Sequence, residues 1–341
     1  MACFNVSYFC LQETLLSRLF VRKISRGPDG KPFDLEQRKW SCDGRVELEG
    51  CILCGESEAD FQAEENGFPI VRCKSCGLVY VNPRPSEKDV EAFYGQYLRP
   101  EVSGRWDEIT RALFKRDAIR IGKFAWPGRL LDIGCGFGFF LNAMREQGWD
   151  TYGSDLSEVA VEYATSRLGL KNVFRGQVEE LHFKDSFFDV ITCWFAMDLM
   201  PHPGRVILEA KRILKGGGIL AMRVPNFDFF KILWTLRRMD CSILRFFLSL
   251  IRKETGNKNA LFNVIDPPVH SCAFTSRVLS DFLEKNGFRV LHVFNDGMVR
   301  RGNFFNRIFD GGITYTAEVF KLLTRGKKDL SISFSIYAKK L

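Results

Sequence analysis

No stretch of 18 or more residues in this sequence is both free of charge and apolar enough to span a bilayer as a helix, which argues against an integral helical membrane protein. Long blocks of like charge are missing too, so no charged disordered tail is expected. The first 26 residues hold apolar side chains, but Glu13, Arg18, Arg22 and Lys23 interrupt them, and no small-residue cleavage site is evident. A local helix or disorder is expected there rather than a targeting segment. The cytoplasm is therefore the expected location.

What is present suits a folded chain. The 341 residues are 46% hydrophobic, with 32 phenylalanines, enough for a sizeable core in one large or two smaller domains. The net charge of +8 is a mild bias toward anionic partners and no nucleic-acid signature by itself.

The 11 cysteines are scattered except for four. Cys51-Ile-Leu-Cys54-Gly and Cys73-Lys-Ser-Cys76-Gly are two C-x2-C-G knuckles with 18 residues between them. Each knuckle places two thiolates on one turn, and together they complete a tetrahedron of the kind that binds structural zinc. A redox pair or an iron–sulfur cluster is the alternative, with no partner motif to support it. A unit of about 40 residues has little core, so bound metal supplies folding energy. Cys135 and Cys193 are expected to be small buried apolar residues.

A short apolar strand, Arg129–Ile133, runs into three alternate glycines, Gly134, Gly136 and Gly138, and then into helical spacing from Phe137 to Gln147. This is the strand–turn–helix that opens a nucleotide-binding α/β domain. A dinucleotide fingerprint needs glycine at 139, where this chain has Phe. Asp132 at the strand end would repel a pyrophosphate and suits a cation. Asp155, 21 residues after Gly134, stands where a carboxylate binds ribose hydroxyls. The pair suggests an adenosine ligand that carries positive charge.

On these residues the sequence resembles the class I S-adenosylmethionine-dependent methyltransferases. Asp132-Ile-Gly134-Cys-Gly136-Phe-Gly138 is similar to their first motif, Asp155 to their ribose-binding acid, and Arg212-Ile-Leu-Lys215-Gly216-Gly217-Gly218 to the stretch before their fifth strand. The resemblance implies an α/β Rossmann-like sheet of seven strands, the last antiparallel, with S-adenosylmethionine as cofactor and adenine near Gln177 and Val178. The alternation of strand-like and helical segments fits such a sheet. The cysteine unit followed by Leu78-Val-Tyr80-Val-Asn82-Pro83-Arg84-Pro85 resembles a bacterial subfamily of surface-polysaccharide, modified-sugar or other small-molecule enzymes. That counts against nucleic acid as substrate. The expected organisation is an N-terminal extension (1–45), a four-cysteine zinc ribbon (46–85), a helical linker (86–128) and a methyltransferase domain (129–341) with a helical insert at about 226–269.

A base is needed only if the acceptor must lose a proton. The loop after the fourth strand has Asp198 where the family has an acid, but Leu199 replaces the family's histidine. His202 lies at the position of the family's second acid. His270-Ser-Cys-Ala-Phe274-Thr275 resembles an element that borders the acceptor pocket, so His270 ranks first as base or acceptor-positioning group, with Asp198 and His202 as further catalytic candidates.

The insert repeats Lys231, Thr235, Arg238, Ser242, Arg245, Ser249 and Arg252 at steps of four and three, one polar stripe on an otherwise apolar helix. It reads as a cap over the acceptor pocket or a dimer contact, or as a membrane-surface helix over 229–252. The expected activity is methyl transfer to a small molecule, a sugar or polysaccharide precursor, lipid-linked in one version. The alternatives are an RNA or protein methyltransferase that uses the ribbon for recognition, and a non-catalytic cofactor-binding partner.

Overall fold

The computed structural model describes residues 45–90, 113–238, 264–265, 267, 269–296 and 331–341. Nearly all of the expected N-terminal extension, the middle of the helical linker and the second half of the insert, including 239–252, lie outside the described residues.

The cysteine-bearing unit turns on Asn66 and Gly67, whose φ angles of 51° and 78° suit a two-residue hairpin. They join β2 (Ala59–Glu65) to β3 (Phe68–Cys73), and β3 pairs antiparallel with β4 (Val79–Val81). The short ladder of β1 (Arg45–Val46) with β5 (Arg84–Pro85) flanks them.

Six strands follow in the main sheet before the last: β6 (Arg129–Ile133), β7 (Asp150–Asp155), β8 (Asn172–Arg175), β9 (Phe188–Trp194), β10 (Leu214–Pro225) and, after the short β11 (Cys272–Ala273), β12 (Phe288–Asp296). The last strand is β13 (Ser333–Lys340). The sheet order is β12-β13-β10-β9-β6-β7-β8, with β13 antiparallel to both neighbours and the other pairs parallel. This is the Rossmann-like sheet that the motifs imply. Leu130, Leu131, Val190 and Ile191 are fully buried because helices and loops cover both faces.

The helices are α1 (113–121), α2 (Phe139–Arg145), α3 (Glu158–Ser166), α4 (Pro203–Ile213), α5 (Phe227–Arg238) and α6 (Ser276–Lys285). Ser157 and Thr275 start α3 and α6 by accepting the Ala160 and Val278 amides at 3.3 and 3.1 Å. Among the described residues no helix is long and apolar enough to cross a membrane.

The cysteine unit is not a separate bead in front of the sheet. Cys51, Leu53, Leu78 and Tyr80 share one core with Ile191, Ile207 and Leu279. Gly204 at the start of α4 lies so close to the first knuckle that a Cβ there would meet the Leu53 carbonyl oxygen at 2.3 Å. β11 pairs antiparallel with β4, adding a strand from the far end of the chain to the ribbon sheet. Two residues of strand carry no readable periodicity, so nothing in the sequence announces this pairing.

The insert begins with a helix packed on the ribbon. On α5, Phe227, Phe230 and Trp234 are 5–8% exposed and join Phe68, Ile70, Val79 and Val81 of the ribbon in one apolar cluster. Lys231 and Ile232 point outward.

A charged cluster is sealed at the carboxyl ends of β10 and β12. The fully buried Arg223 donates to both carboxylate oxygens of Asp117 on α1, at 2.7 and 2.5 Å, and to Asp296 at 2.9 Å. Arg120 donates to the second oxygen of Asp296 at 2.8 Å. Opposed charges at these distances, with hydrogen bonds on each, let the cluster survive burial.

Candidate functional site

The glycine loop sits at the carboxyl end of β6. The amides of Gly134 and Cys135 both donate to the Ser154 carbonyl, at 2.8 and 3.0 Å, which draws the loop across to β7. Gly134 has φ 72°, and a Cβ there would meet the Cβ of Ala196 at 2.6 Å. Gly136 has φ 53° with nothing within 4 Å of a Cβ built on it, so its backbone faces open space. Gly138 caps α2 and lies against Leu170 and Ala164.

Two carboxylates flank this loop. Asp132 is 2% exposed and accepts a hydrogen bond from the Thr192 hydroxyl at 2.7 Å. Burial pushes its pKa up to about 8; Thr192 opposes that rise and the nearby Asp155 adds to it. Asp155 accepts the amides of Gly136 and Ser157 at 2.8 and 2.9 Å, and burial raises its pKa as well. The desolvated Asp132 carboxylate, with half-buried Asp155 near it, favours a cation beside it. The open backbone at Gly136 leaves room for a ligand along the loop. The residues present therefore fit S-adenosylmethionine: Asp132 would meet its cationic amino end and Asp155 its ribose.

Gln177 and Val178 lie in the turn after β8. Gln177 caps the short turn Val178–Glu180 through its backbone amide, 3.3 Å from Glu180 Oε2. Val178 is 2% exposed and packs in the main core, which leaves it little surface to offer an adenine ring.

Asp198 and His270 come together. His270 Nε2 is 3.6 Å from Asp198 Oδ2, and both side chains are about 5% exposed. The Asp198 carbonyl accepts the Ser271 amide at 2.9 Å, and Ser271 Oγ donates to the Leu199 carbonyl at 3.2 Å. These bonds lock the loop after β9 to the segment before β11. Burial raises the Asp198 carboxyl to about 7 and lowers the His270 imidazole to about 4. A small cavity opens beside the pair, lined by Phe227, Phe230, Val264, Ile265, Cys272 and Ala273 among others, with room for about one water molecule.

His202 is placed differently. It precedes α4 and bonds Glu87 at 2.7 Å and Arg84 at 3.1 Å, while burial lowers its pKa. Arg84 also donates to the Pro201 carbonyl. The structure therefore brings two of the three catalytic candidates to one place, and ties the third to the end of the ribbon and the residues just after it.

The four knuckle sulfurs all lie within 4.8 Å of one another, with Cys51–Cys76 and Cys54–Cys73 both at 3.6 Å. A tetrahedron with metal–sulfur bonds of about 2.3 Å sets sulfurs about 3.8 Å apart. A disulfide would need about 2.05 Å. The Gly55 and Gly77 amides close the knuckles onto the Cys51 and Cys73 carbonyls at 2.8 and 3.0 Å. The donor set is all sulfur and uses every position, which fits structural zinc.

The sequence motifs include Ser271 and Arg84 without marking the bonds they make, and no motif reaches Thr192 or Glu65. Thr192 sits in an apolar strand with no motif around it. Glu65 precedes the Asn66-Gly67 turn, a hairpin signal that marks the turn but not the acid's burial.

The family model described as "Methyltransferase domain" matches residues 100–293, more than half of the chain. A ubiquinone biosynthesis O-methyltransferase of Coxiella burnetii is 31% identical over 111 residues, which is 31% of this chain and 47% of that one. A protein of the same name from Dechloromonas aromatica is 37% identical over 103 residues, 29% of this chain and 44% of that one. The chain thus spans about half the length of these curated relatives. A solved S-adenosylmethionine-dependent methyltransferase from Archaeoglobus fulgidus covers 69% of this chain and 94% of its own, at 21% identity and a TM-score of 0.45. By the family match and by its seven-stranded sheet with one antiparallel strand, the chain belongs to the class I methyltransferase-domain family.

Proposed function

We propose that the protein transfers a methyl group from S-adenosylmethionine to a hydroxyl of a small-molecule acceptor. The observation that carries this reading is the Asp198–His270 pair, buried beside a cavity, in a chain whose glycine loop is flanked by Asp132 and Asp155. Bound S-adenosylmethionine supplies an already activated methyl group, so the chain's work is positioning and proton removal. His270, with Asp198 beside it, is the group that takes the acceptor's proton. The names of the curated relatives supply oxygen as the methylated atom for those proteins, and a histidine–carboxylate pair is the equipment a hydroxyl acceptor needs.

The ribbon and the segment Leu78–Pro85 support a sugar or polysaccharide precursor as acceptor, lipid-linked in one version, with zinc on the four cysteines. Calorimetry with S-adenosylmethionine, followed by methyl-transfer assays on a panel of sugar nucleotides, lipid-linked sugars and phenolic quinone precursors, tests it. Cofactor binding without turnover on any hydroxyl acceptor would favour the non-catalytic alternative.

A further inference from the structure

The hairpin tip of the cysteine unit reaches into the wall of the cavity beside Asp198 and His270. Glu65, the last residue of β2, is 1% exposed. One carboxylate oxygen accepts the Trp234 indole N–H at 2.6 Å and the Val264 amide at 2.7 Å; the other accepts the Ile265 amide at 2.9 Å. The next residue, Asn66, donates to the Pro267 carbonyl at 2.8 Å. One hairpin therefore holds α5 and the segment that leads to His270.

The held residues are those of the cavity. Val264 and Ile265 line it together with Phe230, Asp198 and His270. Ile265 and His270 thus face the same small cavity. Directly after His270, the Ser271 carbonyl accepts the Val81 amide at 3.0 Å, and Cys272 pairs with Tyr80. His270 is thus approached from both sides by segments that the ribbon fixes. Three N–H groups converging on one buried carboxylate leave three unsatisfied donors if it is removed.

We propose that Glu65 is a positioning residue for the Asp198–His270 pair: from the ribbon's hairpin it fixes Val264 and Ile265, which share the cavity lining with His270, so that the ribbon holds one wall of the space beside the pair. This rests on the reading that the pair faces the acceptor. The ribbon then acts within the methyl-transfer site rather than as a recognition module beside it. Glutamine at 65 is a poor substitute, because its NH2 group would face an N–H where the carboxylate has an acceptor oxygen.

The test needs no acceptor. The chain has four histidines, so labelled imidazole resonances can be resolved and His270 assigned with a His270→Gln control. Wild type, Glu65→Gln and Glu65→Ala are compared by these resonances, by hydrogen exchange over 264–274, and by S-adenosylmethionine affinity. The expected result is a displaced His270 resonance and at least tenfold faster exchange over 264–274, with the His182 and His292 resonances in place and cofactor affinity within twofold. An unmoved His270 ring with unchanged exchange overturns the proposal. So does a fall in cofactor affinity in step with the exchange, which would mark general loosening. Should Glu65→Ala not fold, Glu65→Gln and Trp234→Phe, which removes one of the three donors, give the same readout, and an unmoved ring in both overturns it. Loss of turnover in His270→Ala judges the methyl-transfer reading separately.

Discussion

His270 Nε2 stands 3.6 Å from Asp198 Oδ2, with both groups nearly sealed from solvent. Burial alone pushes the two in opposite senses: the acid holds its proton longer and the imidazole sheds its own sooner. Near neutral pH the imidazole is neutral, so its ring nitrogen is not already protonated. If this pair removes the acceptor's proton, His270→Ala lowers methyl transfer by about 10²–10⁴-fold and leaves cofactor affinity unchanged. Turnover at wild-type rate would assign the pair to loop anchoring.

The same pair sets a pH profile. Below about pH 7 the Asp198 carboxyl is protonated and cannot stabilise an imidazolium beside it; above about 7 it is ionised. His270 is neutral throughout this range, since its pKa is lowered to about 4. The value of kcat/KM is therefore expected to rise with pH up to about 7 and then level off. A rate that falls across this window would point to a different proton acceptor.

Asp132 links cofactor binding to pH. Its pKa in the folded chain is raised to about 8, against about 3.9 when unfolded. The folded, ligand-free chain thus holds a proton that the unfolded chain has lost, and stability present below about pH 4 is lost as pH rises toward 8. A cation beside the carboxylate favours the ionised form. S-adenosylmethionine affinity, measured by calorimetry, should therefore strengthen between pH 6 and 8.5. Asp132→Asn should weaken binding at least tenfold and flatten that dependence.

Metal content is checked directly. Native mass spectrometry should find one zinc per chain, and none in Cys54→Ser. Because the ribbon shares its core with the main sheet, chelation should lower the thermal midpoint on the order of 10 °C rather than release an independent unit. Unchanged melting after complete metal removal would show that packing alone holds the knuckles.

The charged cluster under β10 gives a stability prediction. Asp117→Ala leaves the buried Arg223 guanidinium with one carboxylate partner, Asp296, in place of two. The expected loss is about 3–5 kcal/mol, read from denaturant unfolding. A loss under about 1 kcal/mol would mean that Asp296 suffices.

The main sheet was legible because its strands are short apolar runs separated by helical spacing and glycine turns. Arg129–Ile133 forms a strand with the bounds read from the sequence. Asp198 and His270 were legible as separate residues through the family resemblance. Their meeting was not, because it depends on Ser271 bonding the Asp198 and Leu199 carbonyls, and backbone bonds between distant loops leave no pattern. Glu65 was illegible for a related reason. An acid at the end of a strand that is otherwise exposed or half-buried reads as a solvated side chain until α5 closes over it. The buried Arg223 carries the same lesson, since its two carboxylate partners come from helix and strand ends far apart in the chain.

The pairing of β4 with β11 has a consequence for biosynthesis. Strands β2 to β4 leave the ribosome early and can pair with one another, while Cys272 and Ala273 follow only after the main sheet's first five strands have been made. At about 5–20 residues per second that interval lasts about 10–40 s. Throughout it the Val79-Tyr80-Val81 edge has free N–H and C=O groups and apolar side chains, a template for pairing between nascent chains. A truncation that ends before Cys272 keeps that edge open permanently, so such fragments should aggregate through the ribbon rather than through the larger domain.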